Sequence, residues 1–110
     1  MTERTQWTDH KSVKRLAELK PDAFRKFVEF EEAAFSAGAL SEKVKELMAV
    51  GITHVTQCDA CIAYHTARAK EAGATDEEIA EAVLVAMSLR AGAAVGHFAS
   101  AERVLRKHKD

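Results

Sequence analysis

Apolar residues recur along this chain at the three-to-four-residue spacing of helices. After a polar, frayed start, Ser12 to Leu19 reads as a first short helix. Pro21 suits the first turn of a second, with Asp22 favourable at the positive helix end. Phe24, Phe27, Val28, Ala34 and Phe35 then carry that helix over about 21–36, and Gly38 ends it. Ser41 is the expected N-cap of a helix over about 42–56. Its apolar stripe is Val44, Leu47, Met48, Ile52 and Val55, and Glu46 projects from nearly the opposite side, where the wheel alone predicts a solvated acid.

A fourth helix is predicted from Cys58 to Ala72, stopped by Gly73. Thr75 and Glu78 form a capping box for the next, in which each side chain satisfies the other residue's backbone N–H. Within it, Ala82 to Leu89 is apolar around the whole circumference and must be enclosed on several sides. So short a chain offers few elements for that, and other copies of the chain are the expected cover. Arg90 to His97 is built of small residues that let helix backbones approach closely, and a final helix runs to about His108, with Arg103, Arg106, Lys107 and Lys109 near its negative end.

A single Pro and five Gly argue against the many tight turns of a β-rich fold, so the class is all-α. A length of 110 residues suits one domain over 1–110, and a net charge of −1 points to neither nucleic acid nor an anionic membrane. The apolar runs fall short of the roughly 20 residues that span a bilayer, and the polar N-terminus lacks the apolar stretch of a secretory signal. The expected compartment is the cytosol, where two cysteines point to reactivity or metal binding rather than a structural staple.

The chemistry concentrates in Cys58-Asp59-Ala60-Cys61-Ile62-Ala63-Tyr64-His65. On a helical wheel Cys58, Cys61 and His65 fall within roughly 60°, and Ala69 continues the stripe. A helix N-terminus alone lowers a thiol pKa by less than about one unit, so a base four residues beyond Cys61 supplies the missing activation. A disulfide across two intervening residues closes too small a loop to stabilise much. Helical i,i+3 geometry holds Cβ atoms about 5–6 Å apart, wider than a disulfide takes, so oxidation must distort the first helical turn. The pair reads as a redox switch. Two readings stand beside it: cysteines and a histidine that fill a core, and a zinc site that His54 or His97 would complete if the fold brought them close. Tyr64 fits a half-buried core position or a pocket wall; His97 faces either a pocket or a neighbouring subunit; Trp7 suits docking onto another chain.

Glu46, eleven intervening residues, the Cys58–His65 segment, and then Ala69-Lys70-Glu71-Ala72-Gly73-Ala74-Thr75-Asp76-Glu77-Glu78-Ile79, with Gly38-Ala39-Leu40 upstream, together resemble the core motif of the AhpD-like alkylhydroperoxidases of the carboxymuconolactone decarboxylase superfamily. The likeness covers about 38–98. It implies a bundle of five or six helices assembled as a homo-oligomer, trimer or hexamer. It further implies that Cys61 is the peroxidatic cysteine, Cys58 the resolving cysteine, His65 the activating partner and Glu46 the residue that holds and polarises the histidine. The implied partners are a hydroperoxide and a lipoyl-type or thioredoxin-like dithiol reductant, with no metal or organic cofactor. Ala60 stands where the best-defined members carry a second relay histidine, which shortens the relay. The decarboxylase branch does not depend on a cysteine pair. Two alternatives remain at this level: acid–base chemistry by Glu46 and His65 on a cyclic acid or lactone, and a non-catalytic thiol sensor.

Overall fold

A computed structural model describes residues 4–108. A single 3-10 turn, Trp7–Asp9, precedes five helices: α1 (Lys11–Leu19), α2 (Pro21–Phe35), α3 (Glu42–Thr56), α4 (Asp59–Glu71) and α5 (Asp76–Lys107). The all-α expectation holds, and no strand occurs among the described residues. Lys109, expected in the basic end of the last helix, lies outside them.

Most of the predicted punctuation sits where it was read, although α2 ends at Phe35 with Ser36 as its C-cap, ahead of the expected stop at Gly38. Pro21 opens α2, and the Ser41 side chain accepts the Val44 N–H at 3.1 Å. Thr75 and Glu78 complete the reciprocal capping box. Lys70 and Lys43 hold the Asp76 and Glu78 carboxyls below their ordinary pKa by hydrogen bonding, which anchors the start of α5. Gly73 takes a positive φ of 96° between α4 and α5, a conformation that side-chain-bearing residues resist.

α3 is the central element, packed mainly against α4 and α5. The fully buried core is small: Val50, Ala69 and Ala74, flanked by half-buried Leu47, Ile79, Ala82 and Val83. Gly51 belongs to this contact, since a Cβ there would lie 3.3 Å from the Ala82 carbonyl oxygen of α5.

Two expectations need correction. The small-residue stretch Arg90–His97 does not separate two helices. α5 runs through it unbroken for 32 residues, about 48 Å, because nothing crowds Gly92 or Gly96 and every flanking residue favours helix. Joined in this way, the separate apolar runs do reach a length and composition able to cross a membrane, with a window of mean hydropathy 1.5. The second correction concerns α3. Of its apolar stripe Leu47 packs on the core and Val55 is half-buried, but Val44, Met48 and Ile52 are exposed, while Glu46, Ala49, Val50 and Thr53 are buried. The wheel assumed that the apolar side is the inner one, but α4 packs on the other side.

α5 leaves most of its apolar surface uncovered, including Val85, Leu89, Val95 and Phe98. The described chain is elongated, 68 × 36 × 26 Å, with a radius of gyration of 18.6 Å against about 13 Å for a compact domain of this length. Its accessible surface of 8270 Å² likewise exceeds the roughly 6,000 Å² expected for a compact monomer of its mass.

The close approach at Gly51 yields a direct test. Gly51→Val should destabilise the fold by about 1–3 kcal/mol in denaturant unfolding, because a branched side chain must push α5 away. Gly92→Val, with no atom near its Cβ in the single chain, is the comparison that isolates the α3–α5 contact.

Candidate active site

The site is built on the hairpin of α3 and α4. Gln57 adopts the left-handed conformation (φ 60°, ψ 46°) and caps α3, and the chain reverses through Gln57 and Cys58 into α4. The turn sets α4 against the polar side of α3, so that His65 and Glu46 meet although 19 residues separate them. His65 Nδ1 lies 2.8 Å from Glu46 Oε1, with the imidazole N–H donating to the carboxylate. Glu46 is 1% exposed and His65 6% exposed, so the pair is sealed from water. Glu46 is therefore not the solvated acid that the wheel predicted. Its cover comes from the same chain rather than from another subunit.

Cys58 and Cys61 are joined by a disulfide, with their Cα atoms 5.2 Å apart. The expected distortion of a helical turn is avoided, because Cys58 is not helical. It occupies the N-cap with extended backbone (φ −106°, ψ 104°), and its Sγ accepts the Cys61 N–H at 3.3 Å. Both cysteines are half-buried at the positive end of α4. In this oxidised state no hydrogen bond joins the His65 ring to either sulfur among the described residues. The ring lies one helical turn beyond Cys61 on the same helix, with Nδ1 committed to Glu46 and Nε2 left for chemistry.

Aromatic side chains close the compartment. Phe35 stacks on the His65 ring at 5.0 Å. Lys45 holds Phe35 in place by donating from Nζ to the Ala34 and Ser36 carbonyls, at 2.9 and 2.6 Å, which ties the end of α2 to α3. Trp7 stacks on Tyr64 at 4.0 Å, meets the His65 ring edge-on at 5.8 Å, and donates its indole N–H to Glu31 at 2.6 Å. The expectation that Trp7 docks onto another chain is thus corrected: it docks on its own. From Arg4 onward the segment before α1 is pinned rather than frayed. Glu71 accepts from both the backbone N–H and the hydroxyl of Thr5, at 2.8 and 2.6 Å, and Arg4 pairs with Glu42. A cavity of about 190 Å³ lies under this strap, walled by Trp7, Phe24, Phe35, Tyr64, Arg68 and Glu46.

Sequence reasoning missed Arg68. It is 9% exposed, donates to the Tyr64 hydroxyl at 2.8 Å, and lies 3.7 Å from Glu46 Oε2 through Nε. A usable signal was present: Arg68 stands three residues after His65 and four after Tyr64, hence on the same face of α4. His54 turns away and bonds the Val50 carbonyl at 2.7 Å, and His97 is exposed on α5. Among the described residues no group of three His, Cys, Asp or Glu is placed to hold a metal.

Tyr64 takes up both roles considered for it, a buried position and a cavity wall. Burial raises its hydroxyl pKa well above the usual 10.0, Arg68 opposes that rise, and Glu31 and Glu46 add to it. The folded state therefore favours the neutral phenol. That stabilisation is complete below the ordinary value and is lost as pH rises through the folded one. As Tyr64 is the single tyrosine, an ultraviolet titration should show no phenolate through pH 10, and ionisation should coincide with alkaline unfolding. A free phenolate curve in the folded protein would contradict the burial.

Comparison with known proteins agrees with this architecture. A protein from the cox locus of Paracoccus denitrificans, itself uncharacterized, is 46% identical over 79 residues, covering 72% of this chain and 71% of its own. A crystal structure from Methanobacterium thermoautotrophicum matches with a TM-score of 0.71 and 39% identity, over 77% of this chain and 96% of the other. A Thermotoga maritima carboxymuconolactone decarboxylase family protein, whose description suggests involvement in an antioxidative response, matches with a TM-score of 0.57 and 32% identity over 77% and 95% of the two chains. The sequence model of the Carboxymuconolactone decarboxylase family matches residues 21–102, which include α2, α3 and α4, the helices that build the cysteine–histidine–glutamate site, and the chain belongs to that family.

Proposed function

We propose that the protein is a thiol-dependent hydroperoxide reductase of the AhpD-like type, with Cys61 as nucleophile, Cys58 as resolving thiol, and His65 with Glu46 as the proton relay. The observation that carries this reading is the buried Glu46–His65 hydrogen bond one turn from a cysteine pair close enough to form a disulfide. A carboxylate that fixes Nδ1 sets the tautomer and leaves Nε2 to exchange protons with a thiol or a leaving group.

In the proposed cycle the neutral His65 ring takes the Cys61 thiol proton at Nε2, and the resulting thiolate attacks the outer oxygen of a hydroperoxide. An S–O bond forms, the O–O bond breaks, and the departing alkoxide takes a proton from the His65 imidazolium to leave as an alcohol. Cys58 then attacks the sulfenic acid, forming the disulfide and releasing water. A dithiol, lipoyl-type or thioredoxin-like, opens that bond by exchange at the more accessible sulfur and is itself oxidised. One hydroperoxide and one dithiol give one alcohol, one water and one oxidised dithiol. The cytosol, where such dithiols are kept reduced, is the compartment this cycle suits. The shortened relay follows from Ala60, which offers no second imidazole beside Cys61.

We also propose that other copies of the chain cover the exposed apolar side of α3 and α5 as a trimer or hexamer. Val44, Met48, Ile52, Val55, Val85 and Leu89 line a groove of about 440 Å³ between these helices. An exposed apolar area of that kind is a protein-interaction face in a soluble molecule.

Purified, reduced protein decides the chemistry. Cys61→Ser should abolish peroxide consumption with any dithiol donor, and His65→Ala should slow it by roughly a hundredfold or more. Full turnover by Cys61→Ser would refute the assigned nucleophile. Sedimentation of the native chain should give a homo-oligomer that Leu89→Asp dissociates; a native monomer, or partition into lipid vesicles, would refute the proposed cover.

A further inference from the structure

Glu46 is the most deeply buried charged side chain among the described residues. A carboxylate taken out of water needs a counter-charge as well as a hydrogen bond. Oε1 accepts from His65 Nδ1 at 2.8 Å, and Oε2 faces Arg68 Nε at 3.7 Å. Within 4 Å, only these two described residues can supply positive charge. His65 can do so only by accepting a second proton, which would fill the Nε2 lone pair and remove the ring as a base. Arg68 is charged under all ordinary conditions.

Arg68 faces three carboxylates, and they differ in what else they have. Glu42 of α3, 3.9 Å from Nη2, is also paired with Arg4. Glu71 of α4, 3.9 Å from Nε, accepts two hydrogen bonds from Thr5. Glu31 of α2 is held by the Trp7 indole, and Glu78 of α5 is paired with Lys43 away from the site. Among the described residues Glu46 has no other partner besides His65. Arg68 Nε is also the one buried side-chain nitrogen or oxygen there that lacks a hydrogen bond, so its pull on Glu46 is electrostatic and little screened by solvent.

We propose that Arg68 is a positioning residue: it is the fixed counter-charge of Glu46, and it thereby keeps His65 neutral, with Nδ1–H on the carboxylate and Nε2 bare. It touches no reacting atom and acts through Glu46. The proposal rests on the Glu46–His65 pairing of the reading above, not on peroxide reduction itself.

The test is to read the imidazole nitrogen resonances of His65 in isotope-labelled, full-length protein with the Cys58–Cys61 disulfide intact. In neutral to mildly alkaline buffer the native ring should show one protonated and one bare nitrogen, the protonated one being Nδ1. In Arg68→Met and Arg68→Gln the pH midpoint at which the ring takes its second proton should rise above that of the native protein, because a neighbouring positive charge is gone. Arg68→Lys, which keeps the charge, should restore the native midpoint. An arginine that merely supports the fold would lower the melting temperature and leave these resonances in place.

A doubly protonated ring in the native protein in that buffer would overturn the proposal, even if no variant folds. So would an unchanged midpoint in folded Arg68→Met or Arg68→Gln. Peroxide consumption measured on the same samples separates the two claims. The expected native tautomer and a raised midpoint in the Arg68 variants, in a protein that reduces no hydroperoxide, would sink the peroxidase reading and uphold the role of Arg68.

Discussion

One constraint organises the molecule: a carboxylate and an imidazole must meet away from water. A buried ionised acid is costly unless it is hydrogen-bonded and faces opposite charge, and the fold meets both conditions at Glu46. α4 has to lie on the polar side of α3 to deliver His65 and Arg68, and the left-handed turn at Gln57 is what allows so tight a reversal. Phe35, Tyr64 and Trp7 then exclude water from the pair. The small aliphatic core of Val50, Ala69 and Ala74 lies on the same hairpin, so the packing that stabilises the chain also aligns the site.

Much of this was legible in the residues. Caps and breakers are local, and Pro21, Ser41, Gly73 and Thr75 marked the helix ends because the backbone groups they satisfy belong to their own turn. The cysteine–histidine stripe was legible for a similar reason, since all three residues lie within two turns. Glu46 was misread from periodicity because its environment is set by a partner helix, and no wheel drawn on α3 alone contains α4. The resemblance to the family motif, by contrast, singled out the same residue. Trp7 was assigned to another chain and Arg68 escaped notice because each acts through contacts with residues remote in the chain, Glu31 for one and Glu46 for the other.

The inversion of α3 has a structural consequence. Turning its polar side inward to build the site leaves Val44, Met48 and Ile52 on the outside, next to the open side of α5. The two apolar surfaces are continuous across the groove between the helices. The elongated outline and the excess surface are the same fact seen at the scale of the whole chain. On this view the site and the uncovered surface are opposite faces of one helix, and neither can be repacked without disturbing the other.

The family match begins at residue 21, yet four of the groups that roof the cavity beside Glu46, namely Arg4, Gln6, Trp7 and Thr8, precede it. The candidate set of Glu46, Cys58, Cys61 and His65 therefore lies within the matched stretch, while part of the wall beside Glu46 is supplied from ahead of it. A relative that keeps the same glutamate, cysteines and histidine but carries a different leading segment would differ in the shape of the space beside the glutamate. That space can diverge in this architecture with no change to the four side chains of the site.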